Sequence, residues 1–169
     1  MAETEERSGP IYMLVNCAGM ALFGFNLSVD DDRQTMDYNY FGTLMPIKYV
    51  LPKMKKAQEG IIVITAYQYA RHGRVGLGSH TACRNALCNL AEGLAQEVGN
   101  LGVTIVLASP IETDTPGFVN EQKMKIIALS SKDERFQHEE VSKRILDDAL
   151  VGFVYFSIFC VFNSLFFKL

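Results

Sequence analysis

Gly60-Ile61-Ile62-Val63-Ile64-Thr65 is the stretch that decides the fold. Between its ends it is wholly apolar and β-branched, the composition of a strand buried on both faces of a parallel sheet. From Ser79 the period becomes helical: Ala82, Ala86, Leu87, Leu90, Leu94 and Val98 share one face, with Arg84, Asn85, Glu92, Gln96 and Glu97 largely on the other. Strand, loop and amphipathic helix make an α/β unit whose loop lies at the carboxyl end of the strand, where open α/β sheets take their ligands. Chemistry is therefore expected between Thr65 and Arg84.

Outward from this unit, Ile11-Tyr12-Met13-Leu14-Val15 reads as a second buried strand running into Asn16-Cys17-Ala18-Gly19, whose small residues let a backbone or a planar ligand approach. Val103 to Ala108 is a third strand, ended by Ser109-Pro110. Ser28 is placed to cap a helix with acids in its first turn. That helix carries Met36, Tyr40, Leu44, Ile47 and Val50 inward and is expected to fade at Leu51-Pro52, because a residue before proline is biased away from helix. Residues 119–136 are polar and weakly patterned, as a mobile lid would be, and Glu139 to Leu150 returns to helical spacing. Three strands alternating with helices predict half of a doubly wound parallel α/β sheet with right-handed crossovers. No GxGxxG turn follows any of the three strands, so the element that holds a pyrophosphate at a helix N-terminus is not seen in this sequence.

The 169 residues, with a net charge of -3 from 16 basic and 19 acidic side chains, suit one domain with a real core and give no electrostatic reason to expect nucleic acid. Cys17, Cys83, Cys88 and Cys160 show neither CxxC spacing nor a neighbouring His pattern. Free thiols in a reducing compartment are expected, and a metal site is not. Met1 to Arg7 is polar, so no signal peptide is expected there. A domain over 1–150 is followed by a hydrophobic tail over 151–169. Val151 to Phe167 carries no charge and sits at the short limit for a membrane span. Membrane attachment, packing on the sheet and a non-native terminus all remain open for it.

Leu14-Val15-Asn16-Cys17-Ala18-Gly19, then Asn39-Tyr40-Phe41-Gly42, then the unit at 60–98, then Pro110-Ile111-Glu112-Thr113-Asp114-Thr115-Pro116-Gly117-Phe118 together resemble the short-chain dehydrogenase/reductases over about residues 8–150. Within that family the chain is most similar to NADPH-dependent reductases of a long-chain keto-lipid in sphingolipid synthesis, attached to the endoplasmic reticulum. The resemblance implies a partial Rossmann-like sheet beginning at the family's fourth strand. It also implies a reaction in which hydride passes from a nicotinamide while a Tyr gives its proton to the carbonyl oxygen, helped by a Lys four residues later and a Ser about thirteen residues earlier. Counted onto this sequence, those positions hold His80, Arg84 and Tyr67, so all three are altered. Asn39 matches the fourth catalytic position.

An impaired reductase is the expectation. Imidazole is shorter than phenol by roughly 2 Å, and a misplacement of about 1 Å can cost on the order of a hundredfold. A guanidinium fork is also not an ammonium point charge. By resemblance NADPH is the cofactor, flanked by Asn16, Ala18 and Gly19 on its adenosine side and by Pro110, Ile111, Thr113 and Thr115 at the nicotinamide. The missing glycine-rich turn predicts weakened binding. The strand at 11–15 is expected at a sheet edge, and the strand that would close the other edge is expected to be replaced by the tail. Helices 29–50 and 80–98 correspond to the family's paired dimer helices and imply a homo- or hetero-oligomer. Two further readings stay beside the reductase: a non-catalytic partner of an intact relative, and a truncated product without function. Localisation by resemblance is the cytoplasmic face of the endoplasmic reticulum membrane.

Overall fold

The computed structural model describes residues 1–25, 27–67, 70, 72–110, 113–115, 136–152 and 155–157. Helix α1 (Ala2–Ser8) precedes strand β1 (Met13–Asn16), α2 (Val29–Met36), a π-helical turn (Asp37–Phe41), α3 (Gly42–Ala57) and β2 (Gly60–Thr65). Then come α4 (Gly78–Val98), β3 (Val103–Ser109), β4 (Thr113–Asp114), β5 (Phe136–Gln137), α5 (His138–Leu150) and β6 (Tyr155–Ser157). The main sheet is parallel in the order β1-β2-β3-β6, with Met13 opposite Ile61 and Gly60 opposite Val103. A second sheet pairs β4 with β5.

The β-branched run at 60–65 lies at the centre because its side chains alternate between two apolar layers. Ile62 and Ile64 pack with Ile47, Val50, Leu87 and Leu94 of α3 and α4, while Ile61 and Val63 pack with Val141, Ile145 and Ala149 of α5. Each such side chain contributes roughly 1.5–3 kcal/mol by leaving water. The doubly covered parallel sheet predicted from sequence is therefore found, and β1 is at its edge, with Tyr12 and Val15 exposed.

Four expectations need correction. The first strand is Met13–Asn16 rather than 11–15. The helix does not fade at Pro52 but runs to Ala57 with Pro46 and Pro52 inside it, because burial of Leu51 and Met54 outweighs the missing hydrogen bonds. Its upstream part is interrupted by the π turn, which turns Thr35 and Asn39 inward and leaves Met36, Tyr40 and Leu44 only partly buried. The far edge strand is not lost: Tyr155–Ser157 pairs in parallel with β3, Leu107 lying opposite Tyr155, so part of the apolar tail belongs to the sheet. The lid expected over 119–136 falls, but for its last residue, outside the described residues. Among the described residues no helix is long and apolar enough to cross a membrane.

Candidate functional site

The site is built where the loops leave the carboxyl ends of β1 and β2 and meet the first turns of α4. Its centre is a backbone group, the Met20 peptide. Asn39 Nδ2 donates to the Met20 carbonyl at 2.8 Å, and Asn39 Oδ1 accepts from the Met20 N–H at 3.1 Å. The second Nδ2 hydrogen goes to the Thr35 carbonyl at 2.8 Å, and Thr43 Oγ1 donates to the Asn39 carbonyl at 2.9 Å. Both hydrogens of the Asn39 amide are thereby committed, and its side chain is fully buried. The π turn is what allows this, since it offsets one helical repeat and points Asn39 at the preceding loop.

His80, on the first turn of α4, brings Nδ1 to 3.0 Å from the same Met20 carbonyl. A carbonyl can only accept, so Nδ1 carries the hydrogen and the other ring nitrogen, Nε2, is the acceptor of the neutral imidazole. Burial, reinforced by the positive charge of Arg84, pushes the His80 pKa from 6.5 down to about 4, against the opposing pull of the Met20 bond. The imidazole is therefore neutral near pH 7.

Arg84 follows one turn later. The apolar period placed it on the outer face of the helix, whereas the family resemblance placed it in the groove. The structure supports the second, since Arg84 is buried and its Nη1 donates to the Thr65 carbonyl at 2.9 Å. Its guanidinium lies so close to Gly19 that a Cβ there would stand 2.1 Å from Nη2 and 2.9 Å from Asn39 Oδ1. A side chain at position 19 would thus displace the Arg84 guanidinium.

Tyr67 presents its ring edge to His80, centroids 6.3 Å apart, while its hydroxyl accepts from Arg74 Nη1 at 2.7 Å. Asn16 reaches across from β1 to the Val63 carbonyl at 3.4 Å and braces the sheet. Ala18 and Gly19 are exposed. His80, Arg84, Asn39, Tyr67 and Gly19, singled out from sequence, are thus brought together. Pro110, Thr113 and Thr115 follow β3, with Thr113 opposite Phe136 in the second sheet, and the hydrogen bonds around Met20 involve none of them. Ile111 lies outside the described residues. Among the described residues no three His, Cys, Asp or Glu side chains cluster as metal ligands.

Sequence reasoning missed Met20, Thr35 and Arg74. The spacing Thr35, Asn39, Thr43 was a usable signal, a polar ladder at intervals of four on one helix face. Met20 offered none, because every residue has a peptide.

Residues 1–126 match the short chain dehydrogenase family. The chain belongs to the short-chain dehydrogenase family. This chain is 36% identical over 155 residues to the 3-ketodihydrosphingosine reductase of Bos taurus, covering 89% of its own length and 47% of that one. It is 34% identical over 155 residues to the 3-dehydrosphinganine reductase of Danio rerio, with the same coverage of each. A gluconate 5-dehydrogenase from Burkholderia cenocepacia, solved with NADP and tartrate, shares its fold with a TM-score of 0.78 at 20% identity over 92% of this chain and 66% of the other. The chain spans about half the length of the curated relatives it matches.

The residues present test how a dinucleotide would fit. Exposed Ala18 and Gly19 leave backbone open to a planar group, with a cationic guanidinium beside them. That donor set suits a ribose or phosphate oxygen. Where the family pattern has a phenol and an ammonium, this site holds an imidazole whose one hydrogen is spent on Met20 and a guanidinium bonded to Thr65.

Proposed function

We propose that this chain is a 3-ketodihydrosphingosine reductase-like oxidoreductase of sphingolipid synthesis, acting on a long-chain keto-lipid with NADPH and impaired in the proton-transfer half of the reaction. The relatives' names support the substrate class. The observation that carries the impairment is the bond from His80 Nδ1 to Met20. A ketone gaining hydride needs a proton on its oxygen, and His80 has no hydrogen on its second nitrogen to give. When bound, NADPH supplies the hydride. Asn16, Ala18 and Gly19 would flank its adenosine side, and Pro110, Ile111, Thr113 and Thr115 its nicotinamide. Arg84 keeps a positive charge beside Gly19 that a ribose hydroxyl can use, and Asn39 holds the Met20 loop in place.

The test is NADPH-dependent reduction of 3-ketosphinganine by this chain beside the Bos taurus relative. The expected kcat/KM is lower by at least about a hundredfold, the scale of a misplaced reacting group. The triple variant His80→Tyr, Arg84→Lys, Tyr67→Ser is expected to recover part of it. Turnover equal to the relative's would refute the impairment.

A second reading, a non-catalytic partner of an intact relative, is favoured by one feature. Tyr38 and Phe41 on the π turn and Met45 in the first turn of α3 are large apolar side chains left exposed. Co-purification with a full-length relative, lost in Met45→Glu, would support it. Attachment to the endoplasmic reticulum membrane on its cytoplasmic face is part of the same proposal. Carbonate extraction separates contact lying on the membrane from a span.

A further inference from the structure

We infer that His80 Nε2 recognises the hydroxyl of a long-chain alcohol in preference to the carbonyl of the corresponding ketone. The long chain rests on the function proposed above; the preference for a hydroxyl rests on the geometry alone. The Met20 carbonyl accepts from Asn39 Nδ2 at 2.8 Å and from His80 Nδ1 at 3.0 Å, so both of its lone pairs are engaged. Its own N–H is held by Asn39 Oδ1 at 3.1 Å, so the peptide plane cannot turn to offer the imidazole a donor instead. Flipping the ring would set a carbon against the carbonyl and forfeit the bond. The tautomer with hydrogen on Nδ1 is consequently fixed by the backbone.

This leaves Nε2 as a lone pair at the carboxyl end of β2, the side of an open α/β sheet that takes ligands. The neighbours named around the ring reinforce the assignment. Arg84 one turn on is a cation, which opposes a second proton on His80. Tyr67 stands edge-on, its hydroxyl oxygen accepting from Arg74 Nη1. A hydroxyl can donate to Nε2. A ketone oxygen presented there would set lone pair against lone pair and leave the nitrogen unsatisfied, the mismatch that sites built on buried polar groups reject most strongly.

The test uses the full chain at pH 7, labelled with 15N in histidine, with octan-3-ol and octan-3-one as probes. The sequence has 3 His, and loss of one set of signals in His80→Phe assigns the resonances. His80 is expected to show hydrogen on Nδ1 and a bare Nε2. Octan-3-ol is expected to shift the Nε2 resonance and to bind at least about fivefold tighter than octan-3-one, a preference that His80→Phe abolishes. A hydrogen on Nε2, a doubly protonated ring, equal affinity for the two probes, or binding of neither would each overturn the inference. Failure of the NADPH assay would not touch these readouts. Where His80→Phe does not fold, the spectrum and the two affinities of the unmodified chain still decide the matter.

Discussion

Replacing Asn39 by Ala removes three hydrogen bonds from a fully buried position: two from Nδ2 to the Met20 and Thr35 carbonyls and one accepted from the Met20 N–H. The Met20 carbonyl keeps His80 as a partner, so the group left orphaned is the Met20 N–H, which is partly buried and costs about 1 kcal/mol at the low end of the range. The two lost Nδ2 bonds add about 1 kcal/mol each, giving a destabilisation of roughly 3 kcal/mol. With a urea slope of about 2 kcal/mol per M, the unfolding midpoint should fall by roughly 1.5 M at unchanged slope. Asn39→Asp keeps the shape but turns an oxygen toward two carbonyls. Its deficit at neutral pH should match or exceed that of Ala and should shrink on acidification, as the carboxyl gains a proton and becomes a donor again. A midpoint for Asn39→Ala within about 0.3 M of the unmodified chain would show that the Met20 knot does not hold the loop.

Three other outcomes follow from the packing and the charges. The folded-state pKa of His80, about 4, lies below its ordinary 6.5, so the unfolded chain takes up the proton first. His80 should therefore cost no stability above about pH 6.5. Between there and pH 4 it should remove roughly 3 kcal/mol, a slope absent in His80→Gln and measurable from urea midpoints at pH 7 and 4.5. Ile62→Ala, at the fully buried centre of β2, should cost about 2–5 kcal/mol by the same measurement. Gly102→Ala places a Cβ 1.8 Å from the Gln58 carbonyl oxygen at a φ of +70°, so backbone must move. A loss of at least about 2 kcal/mol is expected, with a thermal melt lowered accordingly.

The sheet and its two layers were legible because burial on both faces leaves a continuous β-branched run, clearest at residues 60–65. Helix α4 was legible in extent, but the apolar period alone put Arg84 outside. A guanidinium that finds a carbonyl at a strand end can be buried against its composition. Pro52 misled for a related reason: local bias at Leu51 is worth less than the packing of Leu51 and Met54 on the sheet. The tail's strand was hidden because three residues pairing with β3 leave no periodic trace inside an unbroken apolar run. At the site, motif spacing located His80, Arg84, Tyr67 and Asn39, yet could not show what each side chain is bonded to. The partner that organises them is a main-chain amide.

That organisation places unusual demands on position 20. The imidazole and the carboxamide address only its C=O and N–H, so these bonds place no requirement on the side chain that stands there. Proline is the exception, having no hydrogen to offer Asn39. Proline should therefore be the substitution that unties the arrangement whatever the other side chains do, a demand that inspection of side chains alone would miss at the residue around which the others are arranged.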